Sequence, residues 1–357
     1  MKELTLRDRC RGVILGTAVG DSIGLPAEGI SRLRANKLFP GRWRHRLVIN
    51  WGMVSDDTDH AVFAAQSLLV YPNSPDLFAR RLSWCLRWWL LAAPASVGFA
   101  TLKSILRLWL GVSPARSGVN SASNGSAIRS APIGAFFADS PDQIDEYVAV
   151  STRLTHSDPR ALTGAKAVAY LTAWMIRERM VKRPKLEDTL ACLHRAGKGD
   201  DEWAGILRSI ADAHEQSLTV GQFARCLGLS DGVTGYMYHT VPVAIYAWYQ
   251  HFGCFEDTVS AVITCGGDTD TAGAIAGALA GAVVGEQGIP GDWVSGIRDW
   301  PRGTEFFCEV ADRLAENSQT REAGSPVSYF WPGVVPRNIF FLAVVLLHGF
   351  RRLAPPY

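Results

Sequence analysis

The sequence predicts an all-α protein, folded as one compact bundle of many helices. Strict alternation of apolar and polar residues, which marks a half-buried strand, is rare along the 357 residues. Apolar residues recur instead at spacings of three and four, as they do on the buried face of a helix. With 48% hydrophobic and 20% charged residues, the composition is that of a globular chain with a substantial core.

The helical pattern is clearest in residues 162–180, where Ala, Leu, Val and Met lie three and four positions apart. The same reasoning predicts further helices at residues 140–150, 187–194, 202–216 and 220–227. No linker rich in Pro, Gly or Ser separates these helices, and no period of about 20–50 residues indicates a solenoid.

We predict a helical domain in residues 1–316 and a C-terminal extension in residues 317–357. The most apolar stretch of the extension, residues 339–347, is roughly half as long as the ~20 residues that span a membrane. We therefore interpret it as a buried helix packed on the domain, and we expect no membrane span.

The net charge and the cysteine content limit the classes of protein to which the chain can belong. The net charge of +2 gives no large field of one sign, so bulk binding of nucleic acid is not indicated. The seven cysteines are scattered, odd in number and without a CxxC pair, which disfavours a zinc site or a disulfide framework. Reduced thiols and a start unlike a signal peptide predict a cytoplasmic protein. The sequence leaves the oligomeric state open.

Three tryptophans cluster at Trp84, Trp88 and Trp89, and the first two share a helix face. The arginines around them are Arg80, Arg81 and Arg87. Such a cluster could be a ligand platform, but large aromatic side chains dominate core burial, and we favour packing.

The first acidic segment is Ser55-Asp56-Asp57-Thr58-Asp59, followed at once by an apolar helical stretch. Ser and Asp favour helix starts, so capping is the simplest explanation. A cap needs one such residue, however, and three adjacent carboxylates repel one another unless cations or solvent offset them. A hydroxyl followed by carboxylates suits a hard, oxygen-preferring cation.

The second acidic segment carries Asp268 and Asp270, with Thr271 beside them. Residues two apart do not share a helix face, so both carboxylates can meet at one place only where the backbone turns. The preceding Gly266-Gly267 pair permits such a turn.

A row of glycines follows this segment. An internal glycine costs a helix about 1 kcal/mol relative to alanine, so several must be offset by the close approach of another backbone. This predicts a central, tightly packed helix whose N-terminus points at a site. A transmembrane dimer helix is the competing interpretation, and the acidic start argues against it. The glycines recur every four residues, at Gly273, Gly277, Gly281 and Gly285.

A third acidic position, Glu28, follows a glycine-interrupted turn near the N-terminus. Together the three segments offer oxygen ligands without His or Cys, which favours Mg²⁺ or Mn²⁺ over zinc or copper. Two such ions, about 3.5–4 Å apart and bridged by a carboxylate, would suit hydrolysis by an activated water. A two-metal phosphohydrolase would usually employ His ligands, which neither acidic cluster offers as a pair.

At this point the sequence resembles the ADP-ribosylglycohydrolase family, which includes the dinitrogenase-reductase-activating glycohydrolases. The motifs SDDT and GGDTDT follow an opening GD and a Glu in this order, and that combination is highly specific for the family. The matching segments cover most of the chain. The segments are residues 16–28 (GTAVGDSIGLPAE), 55–58 (SDDT), 124–132 (NGSAIRSAP), 155–156 (TH) and 266–285 (GGDTDTAGAIAGALAGAVVG).

The resemblance implies an all-α bundle with two divalent cations, Mg²⁺ or Mn²⁺, at its centre. By the same resemblance, Asp56 and Asp270 are catalytic, with Asp270 as the bridge, and Glu28 matches a mobile glutamate that contacts metal and the scissile ribose. The implied metal ligands are Ser55, Asp56, Asp57, Asp268, Asp270 and Thr271.

The resemblance also implies the substrate contacts. The loop at residues 121–129 looks like the segment that wraps the diphosphate and ribose, because backbone N–H groups and hydroxyls suit anions. His156 matches the TH position and would hydrogen-bond the ligand, although a His there could also be a satisfied core residue. The implied substrate-binding residues are Ser121, Asn124, Gly125, Ser126, Arg129 and His156.

The implied reaction removes ADP-ribose from a modified substrate by attack of a metal-activated water at the ribose C1. We favour protein ADP-ribosyl-arginine as the substrate. O-linked ADP-ribose, ADP-ribosylated nucleic acid, or a small ADP-ribose or nucleoside conjugate would use the same chemistry. A non-catalytic ADP-ribose-binding module would lack ligand residues, whereas every such position is filled here. His60, where many members have Met, leaves the leaving-group specificity open.

Overall fold

The computed structural model describes residues 3–355, and within them it contains α-helices, short 3₁₀ turns and isolated β-bridges but no β-strand. The predicted all-α class is confirmed. The α-helices are α1 (Leu6–Gly24), α2 (Arg32–Leu38), α3 (Asp56–Val70), α4 (Pro75–Leu91), α5 (Phe99–Trp109), α6 (Ser130–Phe136), α7 (Ile144–Arg153), α8 (Pro159–Arg177), α9 (Leu186–Ala196), α10 (Asp201–Glu215), α11 (Val220–Cys226), α12 (Met237–Gln250), α13 (Phe255–Ile263), α14 (Thr269–Val284), α15 (Gly291–Gly296), α16 (Thr304–Thr320) and α17 (Val334–Arg351).

The helices predicted from periodicity are present within a few residues of their expected bounds, as α7 to α11. Local chemistry explains their starts. Asp158 caps α8 by accepting a hydrogen bond from the Arg160 N–H, and Pro159 occupies the first turn, where a missing N–H costs nothing. Asp200 caps α10 through the Trp203 N–H. The predicted regions 1–316 and 317–357 include residues 1, 2, 356 and 357, which lie outside the described residues.

The centre of the fold is an antiparallel contact between α1 and α14, made by glycines on both helices. A Cβ built on Gly16 would lie 2.2 Å from the Gly277 carbonyl oxygen, and one on Gly20 would lie 2.0 Å from that of Gly273. Even alanine is therefore too large at these positions. The contact confirms the close backbone approach that the glycine row predicts, and it brings the C-terminal end of α1 to the N-terminal end of α14.

The C-terminal segment, residues 321–355, returns across the domain and ends in α17. One face of α17 packs on it through Phe341 and Val344, and Arg337 donates to Asp299 Oδ1 at 2.8 Å. Much of the opposite face is apolar and exposed. By length and composition the stretch Trp331–Arg351 could cross a membrane (mean hydropathy 1.6), but a single such helix is weak evidence, since core helices pass the same test.

Candidate active site

A cavity of about 890 Å³ lies where the C-terminal end of α1 meets the N-terminal ends of α3 and α14. We call it the carboxylate pocket, because the acidic segments of the sequence meet in its wall. This volume lies within the range of pockets that enclose small ligands. The lining includes Glu28, Asp56, Asp57, Asp268, Asp270 and Thr271.

Helix starts place these carboxylates. Asp56 and Asp57 lie in the first turn of α3, and Asp270 lies in the first turn of α14, where the positive end of the helix dipole stabilises negative charge. The predicted backbone turn before α14 is confirmed, since Gly267 has φ of +82°. A Cβ there would lie 2.0 Å from the Val233 carbonyl oxygen, so glycine is required both by conformation and by space.

The clustered carboxylates perturb one another. Burial, and after it the neighbouring carboxylates, raises the pKa of Asp56, Asp57 and Asp270 well above the usual value. Burial and the charge of Asp268 also raise the pKa of Glu28. The protein alone therefore supplies too little positive charge for this cluster, and a bound cation would offset the repulsion.

Asp21 belongs to this cluster, although the sequence argument quotes it only as part of a motif. Its Oδ2 accepts hydrogen bonds from the Ser55 N–H at 2.9 Å and from the Thr58 N–H at 3.2 Å. Burial raises the pKa of Asp21 to about 7. These bonds fix the start of α3 to α1, so Asp21 orients Asp56 and Asp57. The GD pair within the glycine-rich start of the chain was the signal that could have identified it.

The donor set fits divalent cations chemically. Asp57 Oδ2 and Asp21 Oδ1 are buried and have no hydrogen-bond partner in the part of the chain that the structure describes, which is costly unless a cation or water completes them. The surrounding donors are carboxylates and hydroxyls, the ligands that Mg²⁺ and Mn²⁺ prefer. As the side chains lie, no group of three or more Asp, Glu, His or Cys residues within residues 3–355 could hold a metal ion.

The loop before α6 forms another part of the pocket wall, and Ser121, Asn124 and Gly125 line it. The Asn124 side-chain amide donates to Asp268 Oδ2 at 2.7 Å and to Thr240 Oγ1 at 2.9 Å. Asn124 therefore ties the loop to the acidic cluster. Ser121 and Gly125 remain partly accessible to a ligand.

Four predicted site residues lie outside the pocket lining and are buried. Arg129 Nη2 donates to Thr155 Oγ1 at 2.7 Å and to the Ser151 carbonyl oxygen, so its guanidinium supports the loop from behind. The His156 ring contacts Ser123 Oγ at 2.7 Å, and burial lowers its pKa to about 3, which keeps it neutral. Ser126 bonds the Ala161 carbonyl oxygen, and the Ser55 hydroxyl caps α3. Their direct contact with ligand stays a prediction.

The mouth of the pocket is formed by α5, which the sequence argument did not single out. Lys103 and Arg107 line it, together with the exposed Phe99, Leu106 and Leu110. The two cations lie on the same side of α5, four residues apart. Amphipathic spacing predicts this helix, but nothing local in the sequence says that one of its faces lies at a pocket.

His60 lines the carboxylate pocket with Asp56 and Asp57, and its ring packs against that of Trp89. The two rings meet edge to face with centroids 4.7 Å apart. The Trp89 indole N–H donates to Asp59 Oδ2 at 3.1 Å, and Asp59 also pairs with Arg302 at 3.0 Å. His60 is fully buried, its Nε2 has no hydrogen-bond partner among the described residues, and burial lowers its pKa well below the usual value. It therefore contributes a neutral ring to the pocket.

The C-terminal segment reaches the pocket through Arg352. Arg352 Nη2 donates to the Pro26 carbonyl oxygen at 3.4 Å, just before Glu28. Its charge lowers the pKa of Glu28, against the effects of burial and of Asp268. The end of the segment is held by Arg34, which donates to the Ala354 carbonyl oxygen at 3.2 Å. The segment thus brings a cation beside the acidic cluster.

Comparisons with known proteins agree with this geometry. The profile of the ADP-ribosylglycohydrolase family matches residues 2–324. An uncharacterized protein of Archaeoglobus fulgidus is 32% identical over 87% of this chain and 97% of its own length. The ADP-ribosyl-[dinitrogen reductase] glycohydrolase of Rhodospirillum rubrum is 25% identical over 82% of this chain and 91% of its own length.

Two further comparisons extend the agreement. The ADP-ribosylarginine hydrolase Tri1 of Pseudomonas putida is 24% identical over 87% of this chain and 79% of its own length. A solved structure described as an ADP-ribosylglycohydrolase-related protein complex superposes with a TM-score of 0.65 and 26% identity, covering 89% of this chain and all of the other. The chain therefore belongs to the ADP-ribosylglycohydrolase family, whose members remove ADP-ribose by hydrolysis.

Proposed function

We propose that the protein is a metal-dependent hydrolase that releases ADP-ribose from ADP-ribosylated arginine in a protein. The observation that carries the proposal is the convergence of five carboxylates on one cavity beside a loop of small polar residues. Hydrolysis breaks the bond between the ribose C1 and a guanidinium nitrogen, and water supplies the new C1–O bond. The ribose C1 gains positive charge as that bond breaks, and a surrounding cluster of carboxylates favours this charge.

Each part of the proposed hydrolysis has its own residues in the chain. Glu28 borders the pocket on the segment that leaves α1, so its carboxylate can accept the proton of the attacking water. Asp56 and Asp270 hold the ribose hydroxyls and the water in position. Backbone N–H groups and hydroxyls of the loop from Ser121 to Gly125 suit the diphosphate. Lys103 and Arg107 stand where they can pair with phosphate oxygens at the mouth.

Two divalent cations would be held by Ser55, Asp56, Asp57, Asp268, Asp270 and Thr271. When bound, they would supply Lewis-acid activation of the water and of the ribose hydroxyls. The two orphaned oxygens on Asp21 and Asp57 support this assignment, because both lie buried next to the predicted ligands.

The arginine linkage is supported by charge and by similarity. A guanidinium group is cationic, and the acidic cluster attracts a cation at the scissile bond. The name of the Pseudomonas putida relative gives ADP-ribosylarginine as that protein's substrate. O-linked ADP-ribose, ADP-ribosylated nucleic acid and a small ADP-ribose or nucleoside conjugate remain the alternatives, since the carboxylate pocket would accept the same ribose portion.

The experiment measures release of free ADP-ribose from an ADP-ribosyl-arginine protein and from an ADP-ribosyl-serine peptide, each with Mg²⁺, Mn²⁺ or EDTA. We expect release from the arginine substrate that requires a divalent cation. Release from the serine peptide alone would replace arginine by the O-linkage. Equal rates in EDTA would contradict metal dependence. Tight binding of ADP-ribose with no release from either substrate would indicate a different conjugate or a binding module.

A further inference from the structure

A second cavity, of about 670 Å³, is lined by a part of α3 that lies further along the helix than its acidic first turn. We call it the aromatic pocket. Helices α3 and α4 form one wall, and residues 326–334 of the C-terminal segment cross over it as the other. The seven aromatic residues that line it are Phe63, Tyr71, Trp84, Trp88, Trp89, Tyr329 and Trp331.

Most of the tryptophans at this pocket are not core residues. Trp84 and Trp88 are 46% and 50% exposed, whereas Trp89 is only 3% exposed. The packing interpretation of the sequence analysis therefore holds for Trp89 alone. Trp88 meets Trp331 edge to face, with ring centroids 6.3 Å apart, so indoles from two distant parts of the chain form one rim.

The charges at the aromatic pocket are all positive. Among residues 3–355, Arg80, Arg81 and Arg302 line it, and no Asp or Glu does. Arg302 is neutralised from behind by Asp59, at 3.0 Å. Neither Arg80 nor Arg81 forms an ion pair with a described residue, and the Nε of Arg81 is enclosed without a hydrogen-bond partner. A half-buried guanidinium without an acceptor is the feature that a bound anion would complete.

The pocket wall is fixed by bonds of its own. The Gln66 side chain donates to the Val327 carbonyl oxygen at 2.9 Å and accepts from the Val327 N–H at 2.8 Å. The Arg302 guanidinium lies over the rings of both Phe63 and Tyr329, at 5.7 and 5.4 Å from their centroids. The cavity is therefore pre-formed, which lowers the entropic cost of binding a ligand.

We propose that the aromatic pocket binds a planar aromatic anion, meaning a ring system that carries a carboxylate, sulfonate or phosphate group. Indole and phenol rings offer flat apolar surfaces against which the ring of the ligand can stack. The guanidinium of Arg81 offers a planar pair of N–H donors for the anionic group. The cavity volume matches a drug-sized molecule and not a polymer.

This site is separate from the carboxylate pocket. Trp89 belongs to the wall of the aromatic pocket, and the rings of Trp89 and His60 stand between the two cavities. The charged residues that line the aromatic pocket are arginines, whereas those that line the carboxylate pocket are mostly acidic, so the two cavities favour different ligand groups. The proposal does not depend on the substrate assigned to the carboxylate pocket.

The test uses naphthalene-2-sulfonate as the probe and measures its binding to the full chain by isothermal titration calorimetry. We expect saturable binding at one site, no displacement by ADP-ribose, and at least tenfold weaker binding of the cation naphthylmethylammonium. Arg81→Gln and Trp88→Ala should each weaken binding about tenfold or more. Arg107→Gln is the matched control, because Arg107 lies at the carboxylate pocket, and it should bind the probe as the unmodified chain does.

Fold is checked in each variant by its thermal transition and by its rate of ADP-ribose release, which Arg81→Gln should leave unchanged. The proposal is overturned if the unmodified chain shows no saturable binding, or if Arg81→Gln and Trp88→Ala both bind as tightly as it does. It is overturned equally if ADP-ribose displaces the probe, because the probe would then occupy the carboxylate pocket.

Discussion

The two cavities that α3 lines differ in the sign of their lining charge. The carboxylate pocket, of about 890 Å³, is lined by five carboxylates, and the aromatic pocket, of about 670 Å³, is lined, among the described residues, by three arginines and no carboxylate. The first turn of α3 lines the carboxylate pocket, and Phe63 and Gln66, further along the helix, line the aromatic pocket. The comparison shows that the position of a cavity along a helix, more than the composition of the helix, decides the charge of the ligand groups that the cavity attracts.

The physical reason lies in the backbone. Helix N-termini carry partial positive charge, so carboxylates gather at the starts of α3 and α14. The sides of a helix carry no such charge, so the width of a cavity beside a helix depends on the volume of the side chains there. Glycines allow the backbones of α1 and α14 to come into contact, whereas indole rings hold α4 and the C-terminal segment apart. Asp59 lies between the two cavities and bonds both Trp89 and Arg302.

The largest expected effect is on catalysis. Asp56→Asn and Asp270→Asn keep side-chain shape but remove charge, and each should lower ADP-ribose release at least about a thousandfold. Binding of naphthalene-2-sulfonate should not change. In EDTA each variant should melt at a higher temperature than the unmodified chain, because repulsion in the cluster is relieved. Retention of activity in both variants would remove the two carboxylates from the mechanism.

The next effect is on stability. Gly277→Ala places a methyl group against the Gly16 carbonyl oxygen, which a Cβ would approach to 2.1 Å, so the two backbones must separate. We expect a loss of about 3 kcal/mol or more in the free energy of unfolding, measured with urea. Gly349→Ala is the control, since Gly349 lies exposed in α17 with nothing within 4 Å of its Cβ position. It should stabilise the protein by up to about 1 kcal/mol. Equal changes in the free energy of unfolding for the two variants would contradict the close contact between α1 and α14.

Asp59→Asn tests the boundary between the two cavities. It leaves Arg302 buried without its carboxylate, and we expect a loss of about 3 kcal/mol in the free energy of unfolding. The unpaired guanidinium should also tighten binding of naphthalene-2-sulfonate in the aromatic pocket. The double variant Asp59→Asn, Arg302→Met should recover most of the stability. If the double variant is no more stable than the single one, the ion pair is not the reason for the loss.

Arg352→Ala tests the contribution of the C-terminal segment. Arg352 lowers the pKa of Glu28, so its removal should raise that pKa and move the acidic limb of kcat/KM to higher pH. Arg352→Lys keeps the charge and should restore the limb. On the acidic side of the profile, Arg352→Ala should lower kcat/KM about tenfold. A uniform loss of activity at all pH values in both variants would indicate a structural role only.

The smallest effect is the pH dependence of metal stabilisation. Burial raises the pKa of Asp21 from 3.8 to about 7, so the metal-free folded state binds more protons than the unfolded state between these values. Metal-free stability should therefore fall as pH rises through this window. Cations require ionised ligands, so the difference in Tm between Mg²⁺ and EDTA should be small near pH 5 and larger near pH 8. A difference that shrinks with rising pH would contradict a carboxylate metal site.

Part of this arrangement could be predicted from the sequence. Periodicity predicted the helical class, and the acidic segments with their glycine turn predicted a cluster of oxygen ligands. Both signals are local, because spacing of three or four residues and a required positive φ are properties of short stretches. The predicted division between residues 316 and 317 and the cytoplasmic location remain predictions.

The glycine rows show what spacing alone leaves undecided. Gly273, Gly277 and Gly281 indicate the close approach of another helix backbone. The glycines that they meet, which include Gly12 and Gly16, are far away in the chain. The partner row has the same four-residue spacing, and matching the two rows would have identified the pair. Which helix a row meets is a global property, because it depends on how all the other helices pack.

The sequence by itself determined the helices, the glycine turn and the acidic segments that start two of the helices, since each follows from residues that are neighbours in the chain. Only the tertiary structure decided which residues face a cavity. It turned Asn124 towards Asp268 and Arg129 away from the pocket, brought Arg352 beside Glu28, and left Trp88 half-exposed. The reason is that the direction of a side chain depends on contacts between segments that only the complete fold brings together.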